Sequence, residues 1–430
     1  MRAFAEKRLA VQAKRLISKT KPFIVGVTGS VGKSSAKQAI GAVLDGTFRV
    51  RISPGNYNTE FGLPLTVLGL TSPKRSLYGW LSALYRGWAR SMFPTKDYPD
   101  TLVLEMAADR PGDIAKLVAL APPRIGVVTT VGESHLEFFE STAAIAAEKS
   151  TLIRSLPKDG VAILNRDDEQ VWAMRKLTSA KVLSYGLHEE ANVRALPDTI
   201  SYDCHQPQNS CGTHFKLSHN GTVMPVFVSG ALGRPAVYAA LAAVAVGLAR
   251  GLNLVEIVSC LGGFETAPGR LRYLPGIKGT ILIDDSYNAA PKSVLAALEV
   301  LHEVPLNADD DCRFAVLGDM LELGSLSEQA HVEIGRRAAE LDVDSLVLVG
   351  ELMSVTERAA KEAGLSEDRV FHFSDAETAG RFVQERMKPG DAILVKGSRG
   401  MHMEYVVKEL MDEPLRAADL LPGDHNEWRS

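Results

Sequence analysis

The sequence predicts an α/β protein of two successive parallel-sheet domains, the first built around a phosphate-binding loop and carrying a small β insertion. Three observations predict it. Short apolar runs alternate with helical patterns from residue 23 onward, the rhythm of a parallel sheet wound with helices. A polar stretch at 190–229, rich in Asn, Ser and Thr, interrupts that rhythm. A second strand–helix series runs from residue 280, after the turn-like segment Ala267-Pro268-Gly269-Arg270.

Residues 1–21 read as a basic amphipathic helix. Ala5, Leu9, Ala13, Leu16 and Ile17 share one face, and Arg2, Lys7, Arg8, Lys14, Arg15 and Lys19 cover the rest. Two readings stand: a helix packed on the first domain with its charges solvated, or one that meets a membrane surface or a partner. The central domain is expected over 22–266. Residues 23–27 (FIVGV) form a short buried strand, followed by a glycine-rich turn and a helix from Lys33. Further strands are expected at 102–104, 125–129, 161–164 and 182–183. Within the insertion, 223–228 alternates as a strand does. An alanine-rich helix at 237–252 precedes the boundary. The C-terminal domain, 267–430, is expected to be Rossmann-like. Its strands fall at 281–283, 314–317, 345–349 and 393–395, and its helices near 292–303, 327–340, 354–364, 375–388 and 403–412.

A chain of 430 residues exceeds one ordinary core. Hydrophobic residues at 46% and charged residues at 23% describe a soluble globular protein rather than a disordered one. A net charge of −4 gives no reason to expect nucleic acid as partner. No apolar run reaches the ~18 residues of a membrane span, and the N-terminus lacks the apolar core of a signal peptide. Cys204, Cys211, Cys260 and Cys312 are too few and too scattered for a disulfide framework, so a cytoplasmic protein is expected.

The segment Gly26-Val-Thr-Gly29-Ser30-Val-Gly32-Lys33-Ser34 lies between a strand and a helix, where a phosphate loop must be. Its glycines let backbone N–H groups and the helix N-terminus point at phosphate oxygens. Lys33 would neutralise the β and γ phosphates of ATP, and the Ser34 hydroxyl would hold Mg²⁺. Gly29, Ser30, Gly32 and Ser35 complete the expected nucleotide contacts. The usual pattern has glycine where Val27 stands; here the glycines are at 26, 29 and 32.

That spacing resembles the Mur ligase family of peptidoglycan precursor enzymes. Other segments follow in the family's order. Asn56-Tyr-Asn58-Thr59-Glu60-Phe-Gly62-Leu-Pro64 is similar to its substrate-side segment, Leu104-Glu105-Met106 to its acidic strand end, and His135-Leu136-Glu137 to its histidine loop. Asp285-Ser-Tyr287-Asn288-Ala-Ala-Pro291, Gly318-Asp-Met320-Leu-Glu322-Leu-Gly324 and Lys396-Gly-Ser398-Arg399 most resemble the branch that adds D-alanyl-D-alanine to a UDP-muramoyl tripeptide.

The resemblance implies ATP-dependent activation of a carboxylate as an acyl phosphate, which an amine then attacks. The phosphoryl transfer concentrates negative charge on oxygens, so cations and N–H donors must converge there. Glu105, closing a strand, can complete a Mg²⁺ site with Ser34. His135 is implied as ligand of a second Mg²⁺. Lys149 matches a lysine that is carbamylated in several Mur ligases, which would make it an anionic metal ligand; read alone, it is a surface charge on a helix. Lys33, His135 and Lys149 are thus the implied catalytic set. Arg270, Asp285 and Asn288 are implied nucleotide contacts when the domains close. Asn58, Thr59, Lys396, Ser398 and Arg399 are implied contacts of the muramoyl-peptide acceptor and the incoming dipeptide. For Glu322 and His331, substrate contact and local hydrogen bonding both stand.

Three features depart from the family or stand outside it. The family opens with a separate domain that holds the UDP part of the acceptor, whereas here the phosphate loop begins at residue 26, so that domain is expected to be missing. The segment 77–93, with Tyr78, Trp80, Tyr85, Trp88 and Phe93, is then either an aromatic platform for a base or sugar or plain packing. Pro235, Ala236 and Ala239 replace the family's H-N-x-x-N residues, one of which contacts adenine. Cys204, His205, Cys211 and His214 match no common zinc spacing. The expected protein is a monomeric ligase. A ligase for another acceptor, and a non-catalytic nucleotide-binding homologue, are the alternatives.

Overall fold

The structure, a computed structural model, describes residues 2–55, 57–73, 76–132, 139, 141–204 and 211–423. It divides into two compact units. The first comprises Met1–Thr199, Phe215–Val226 and Val237–Phe264; the second comprises Ile200–His214, Phe227–Ala236 and Glu265–Ser430.

In the first unit, helix α1 (Arg2–Thr20) precedes strand β1 (Phe23–Thr28), helix α2 (Lys33–Asp45) and strand β2 (Val50–Ile52). Helices α3 (Gly62–Leu68) and α4 (Leu77–Met92) lead to β3 (Thr101–Glu105), α5 (Asp113–Leu120) and β4 (Ile125–Val128). Then come α6 (Thr142–Arg154), β5 (Val161–Asn165), α7 (Glu169–Ala173), β6 (Lys181–Gly186) and β7 (Val193–Ala195). The sheet runs β2-β3-β1-β4-β5-β6-β7, all parallel, so β1 lies between β3 and β4. The chain lays β2 and β3 on one side of β1 and then crosses to β4 and β5 on the other. The crevice beyond its C-terminal end is therefore the place where open α/β sheets bind ligands.

The apolar face of α1 predicted from its periodicity is buried: Leu9, Ala13 and Leu16 join Leu63, Leu65, Leu68, Leu102 and Leu104 in one core. Each such leucine contributes roughly 1.5–3 kcal/mol by leaving water. The helix packs on the first unit, and Lys7, Arg8, Lys14 and Arg15 remain exposed.

The insertion forms strands β8 (Ser201–Asp203), β9 (Gly212–His219) and β10 (Thr222–Ser229). Antiparallel pairing of β8 with β9 sets Asp203 opposite Gly212. This register brings Cys204 and Cys211 together, and they form a disulfide. The sequence reading, four cysteines too few and too scattered for a disulfide framework, did not expect this one pair: spacing along the chain carries no information about strand register.

The second unit has a sheet of β11 (Arg272–Pro275), β12 (Ile281–Asp285), β13 (Arg313–Gly318), β14 (Ser345–Val349), β15 (Val370–Phe373) and β16 (Ala392–Lys396). The order is β11-β12-β16-β13-β14-β15, with β11 antiparallel and the others parallel. The strands β12, β13, β14 and β16 are almost wholly apolar and buried on both faces, as helix-covered parallel strands require.

Candidate functional site

The phosphate loop leaves β1 at its C-terminal end, where Val27 is in register with Glu105 of β3 and Thr28 with Val128 of β4. Gly29 has φ 152° and lies so close to Thr129 that a Cβ there would overlap the threonine hydroxyl. Gly32, at φ 83°, is the left-handed residue that turns the chain into α2. The loop is tied to the segment after β4: Ser30 N donates to Thr130 O at 2.8 Å, and Val31 N donates to Thr130 Oγ1 at 3.0 Å. The Ser30 hydroxyl donates to Gly132 O at 3.2 Å and accepts from Gly132 N at 3.0 Å. Lys33 folds back over the loop and donates to Gly29 O at 2.8 Å and Ser30 O at 3.1 Å, so its ammonium sits at the mouth of the anion cradle. Ser35 is buried in the first turn of α2.

Register on β1 and β3 delivers Glu105 to the same spot. The Ser34 hydroxyl donates to Glu105 Oε2 at 2.9 Å, and Asn58 Nδ2 donates to Oε1 at 3.1 Å. The Glu105 N–H is held by Ser53 Oγ at 2.9 Å. Lys37, one helical turn beyond Lys33 and 1% exposed, pairs with Glu105 Oε2 at 3.0 Å. Burial pushes the Glu105 carboxyl up, but the Lys37 and Lys33 charges outweigh it and hold the group below the usual glutamate range. Sequence reasoning missed Lys37 because α2 is buried on nearly every side, so no periodicity marks one lysine as inward.

A hydroxyl and a carboxylate oxygen 2.9 Å apart, beside a phosphate cradle, are the hard donors that Mg²⁺ takes when most of its shell is phosphate and water. Among the described residues no group of three or more His, Cys, Asp or Glu could hold a metal alone. His135 lies outside the described residues. Lys149, on α6, is 4% exposed; burial, and then the nearby Lys33 charge, bring its ammonium down to about 7, against weaker pulls from Glu148 and Asp109. It is therefore no surface charge. Its neighbour Glu148 accepts from Gly112 N and Ile114 N, each at 2.8 Å, at the start of α5. The Thr59 hydroxyl accepts from Gly62 N, at the start of α3, at 3.5 Å.

Beside the loop lies a cavity of about 390 Å³ lined by Thr130, Val131, Asn165, Asp167, Asp168, Glu169, Gln170 and Tyr238. Asp168 Oδ2 accepts from Val131 N at 2.8 Å and so fixes the segment that also holds the loop. The Tyr238 hydroxyl donates to Asp167 Oδ2 at 2.8 Å. Asp167 and Tyr238 were not singled out from sequence; Asp167 belongs to the run Asn165-Arg-Asp-Asp at a strand end, which is the one signal that could have found it. Ala239 is buried and brings no polar side chain.

In the second unit the ends of β12, β16 and β13 form another polar cluster. Register sets Asp285 opposite Lys396, and the two buried side chains pair, Lys396 Nζ to Asp285 Oδ2, at 2.5 Å. Lys396 also donates to Asn288 O at 2.8 Å. Asp284 Oδ2 accepts from Gly269 N at 2.9 Å and Asp285 Oδ1 accepts from Leu271 N at 3.0 Å, so the two acids hold the backbone on both sides of Arg270. Burial drives Asp284 up to about 6. The Arg270 guanidinium lies over the Tyr287 ring, 4.5 Å from its centroid, and Arg399 is 5.9 Å from the same centroid. Arg399 also pairs with Glu404 at 3.0 Å. Ser398 Oγ accepts from Leu321 N at 2.9 Å. His331 is buried and satisfied locally: Met320 N donates to Nε2 at 3.3 Å, and Nδ1 meets Ser327 O at 2.7 Å. Glu322 is exposed, at φ 64°.

The cysteines near the insertion offer no zinc thiolates, since Cys204 and Cys211 are joined. His214 stacks on Phe227 at 4.3 Å, and His205 lies outside the described residues.

Known proteins resemble this arrangement throughout. The Mur ligase middle domain matches residues 87–247, and the Mur ligase glutamate ligase domain matches residues 269–399. The UDP-N-acetylmuramoyl-tripeptide–D-alanyl-D-alanine ligase of Bacillus subtilis (strain 168) is 32% identical over 94% of this chain and 79% of its own length. The enzyme of that name from Escherichia coli (strain K12) is 31% identical over 90% of this chain and 77% of its own length. Among solved structures, MurF from Thermotoga maritima in complex with ADP has a TM-score of 0.75 at 27% identity, covering 94% of this chain and 83% of that one. MurF from Acinetobacter baumannii has a TM-score of 0.75 at 28% identity, covering 94% of this chain and 80% of that one. Sequence, fold and loop chemistry agree, and the chain belongs to the Mur ligase family, alongside its D-alanyl-D-alanine ligases.

Proposed function

We propose that this chain is an ATP-dependent, ADP-forming ligase of peptidoglycan precursor synthesis that joins D-alanyl-D-alanine to a muramoyl tripeptide through an acyl phosphate. The observation that carries this reading is the convergence of Lys33, Ser34 and Glu105 beyond β1, in a chain about a third identical to ligases of that name. The cavity between Thr130 and Tyr238 adjoins the loop and suits the nucleoside; its Tyr238–Asp167 pair takes over base or ribose recognition from the missing asparagines. Ser34 and Glu105 would hold Mg²⁺, which would supply charge neutralisation at the β and γ phosphates. Lys33 follows the charge that develops on the transferred phosphoryl group. A buried lysine brought down to about 7 carries a substantial share of free amine near neutral pH. Its free amine is the form that adds to CO₂ with loss of a proton, so carbamylated Lys149, with His135, is the proposed ligand pair of a second Mg²⁺. Asn58 and Thr59 are the proposed acceptor contacts. Arg270, Asp285 and Asn288 are proposed for the nucleotide, and Lys396, Ser398 and Arg399 for the dipeptide. The proposed enzyme is a cytoplasmic monomer; among the described residues no helix is long and apolar enough to cross a membrane.

The test is phosphate release and amide formation with ATP, D-alanyl-D-alanine and muramoyl-tripeptide acceptors with and without UDP. Stoichiometric amide and phosphate with the UDP acceptor is the expected result. Turnover confined to other acceptors assigns the same chemistry to a different substrate. ATP binding without phosphate release under every combination rejects the enzyme altogether.

A further inference from the structure

Helix α4 turns an apolar aromatic face outward. Tyr78 is 86% exposed, Leu81 65%, Tyr85 67% and Trp88 47%, and Phe93, just past the helix end, is 72% exposed. The spacing 78, 81, 85, 88 is one helical stripe. Its opposite side is accounted for: Ala83 and Gly87 are buried, and Trp80 packs against Phe61 at 5.0 Å. The stripe is thus surplus to folding.

Helix α1 lies alongside, tied to α4 by Gln12 Nε2 donating to Leu84 O at 3.2 Å and Lys19 Nζ donating to Met92 O at 2.8 Å. It exposes Lys7, Arg8, Val11, Lys14 and Arg15. On α1 six basic residues stand against one acidic, and on α4 two against none. The pair therefore carries a net +7 in a chain of net charge −4, leaving −11 for the remainder. Tyr, Trp, Phe and Leu side chains projecting from a surface rimmed by Lys and Arg suit the boundary between headgroups and acyl chains. The rings bury their apolar bodies there, and the cations meet lipid phosphates. An acidic body carrying one cationic face also orients that face towards a negative surface.

We propose that α1 and α4 form a docking face for an anionic lipid bilayer, which holds the protein at the membrane surface without spanning it. The proposal does not rest on the ligase reading.

The test is sedimentation of the full chain with vesicles of phosphatidylcholine alone or mixed with phosphatidylglycerol. Binding to the mixed vesicles, a blue shift of tryptophan emission, and loss of binding as salt rises through ~0.5 M are expected. The Tyr78→Ser/Leu81→Ser/Tyr85→Ser variant should lose at least about tenfold in partitioning with unchanged circular dichroism, because all three side chains are largely solvated. Arg86→Glu combined with Lys14→Glu should act in the same direction. Absence of binding to mixed vesicles overturns the proposal, as does equal binding by the triple variant. Concentration-dependent dimerisation that the triple variant abolishes, with no vesicle binding, assigns the face to a second copy of the chain instead.

Discussion

Lys33 meets the loop carbonyls of Gly29 and Ser30, where an incoming γ phosphate would replace them. Lys33→Ala should therefore lower phosphate release at least ~100-fold while leaving the thermal transition within a few degrees of wild type. Near-normal turnover in that variant would remove the loop assignment. Lys149→Ala should be inactive yet partly restored by added short carboxylic acids, which supply the oxygen ligand that the carbamate would. Absence of rescue across a wide acid range contradicts the carbamate. Tyr238→Phe deletes the hydrogen bond to Asp167 at the cavity wall and should raise KM for ATP about fivefold with kcat little changed. The residues named from sequence were those tied to a motif: Lys33, Ser34, Glu105. Lys37 and Tyr238 were not legible, because an inward lysine on a helix buried on nearly every side and a tyrosine in an alanine-rich one carry no pattern.

At the scale of elements, strand register does most of the positioning. Glu105 meets Ser34, and Lys396 meets Asp285, because parallel neighbours β1–β3 and β12–β16 end level with one another. Gly29→Ala tests the first arrangement: its φ of 152° and the nearby Thr129 hydroxyl leave no room for a Cβ. Nucleotide binding should weaken with a loss on the order of 1–3 kcal/mol in stability. An unchanged melting temperature and ATP affinity would show that the loop tolerates another path. Strands β1, β3, β4, β12, β13, β14 and β16 were legible as short apolar runs. The edge strand β15 was not, since it is only four residues long and His372 breaks its apolar run, and β2 has only three residues. The Cys204–Cys211 bond depended on the β8–β9 register, which exists only in the fold.

Considered whole, the chain has an acid whose titration opposes its stability. Burial raises Asp284 from an ordinary 3.8 to about 6, so the folded state binds the extra proton between those values. The contribution of this group is complete below pH 4 and is lost as pH rises through 6, on the order of 3 kcal/mol. The difference in unfolding free energy between wild type and Asp284→Asn should therefore shift in favour of the variant as pH goes from 4 to 7. A pH-independent difference contradicts the buried-acid reading. The family-level resemblance was legible because its motifs sit at strand ends, and strand ends are where this fold brings residues together. The central claim is that ATP activates the acceptor carboxylate. Its most direct test is the reaction with an acceptor whose terminal carboxylate carries ¹⁸O, followed by mass spectrometry of the released phosphate. The account predicts one ¹⁸O atom in each phosphate for each amide formed; amide formed with unlabelled phosphate contradicts it.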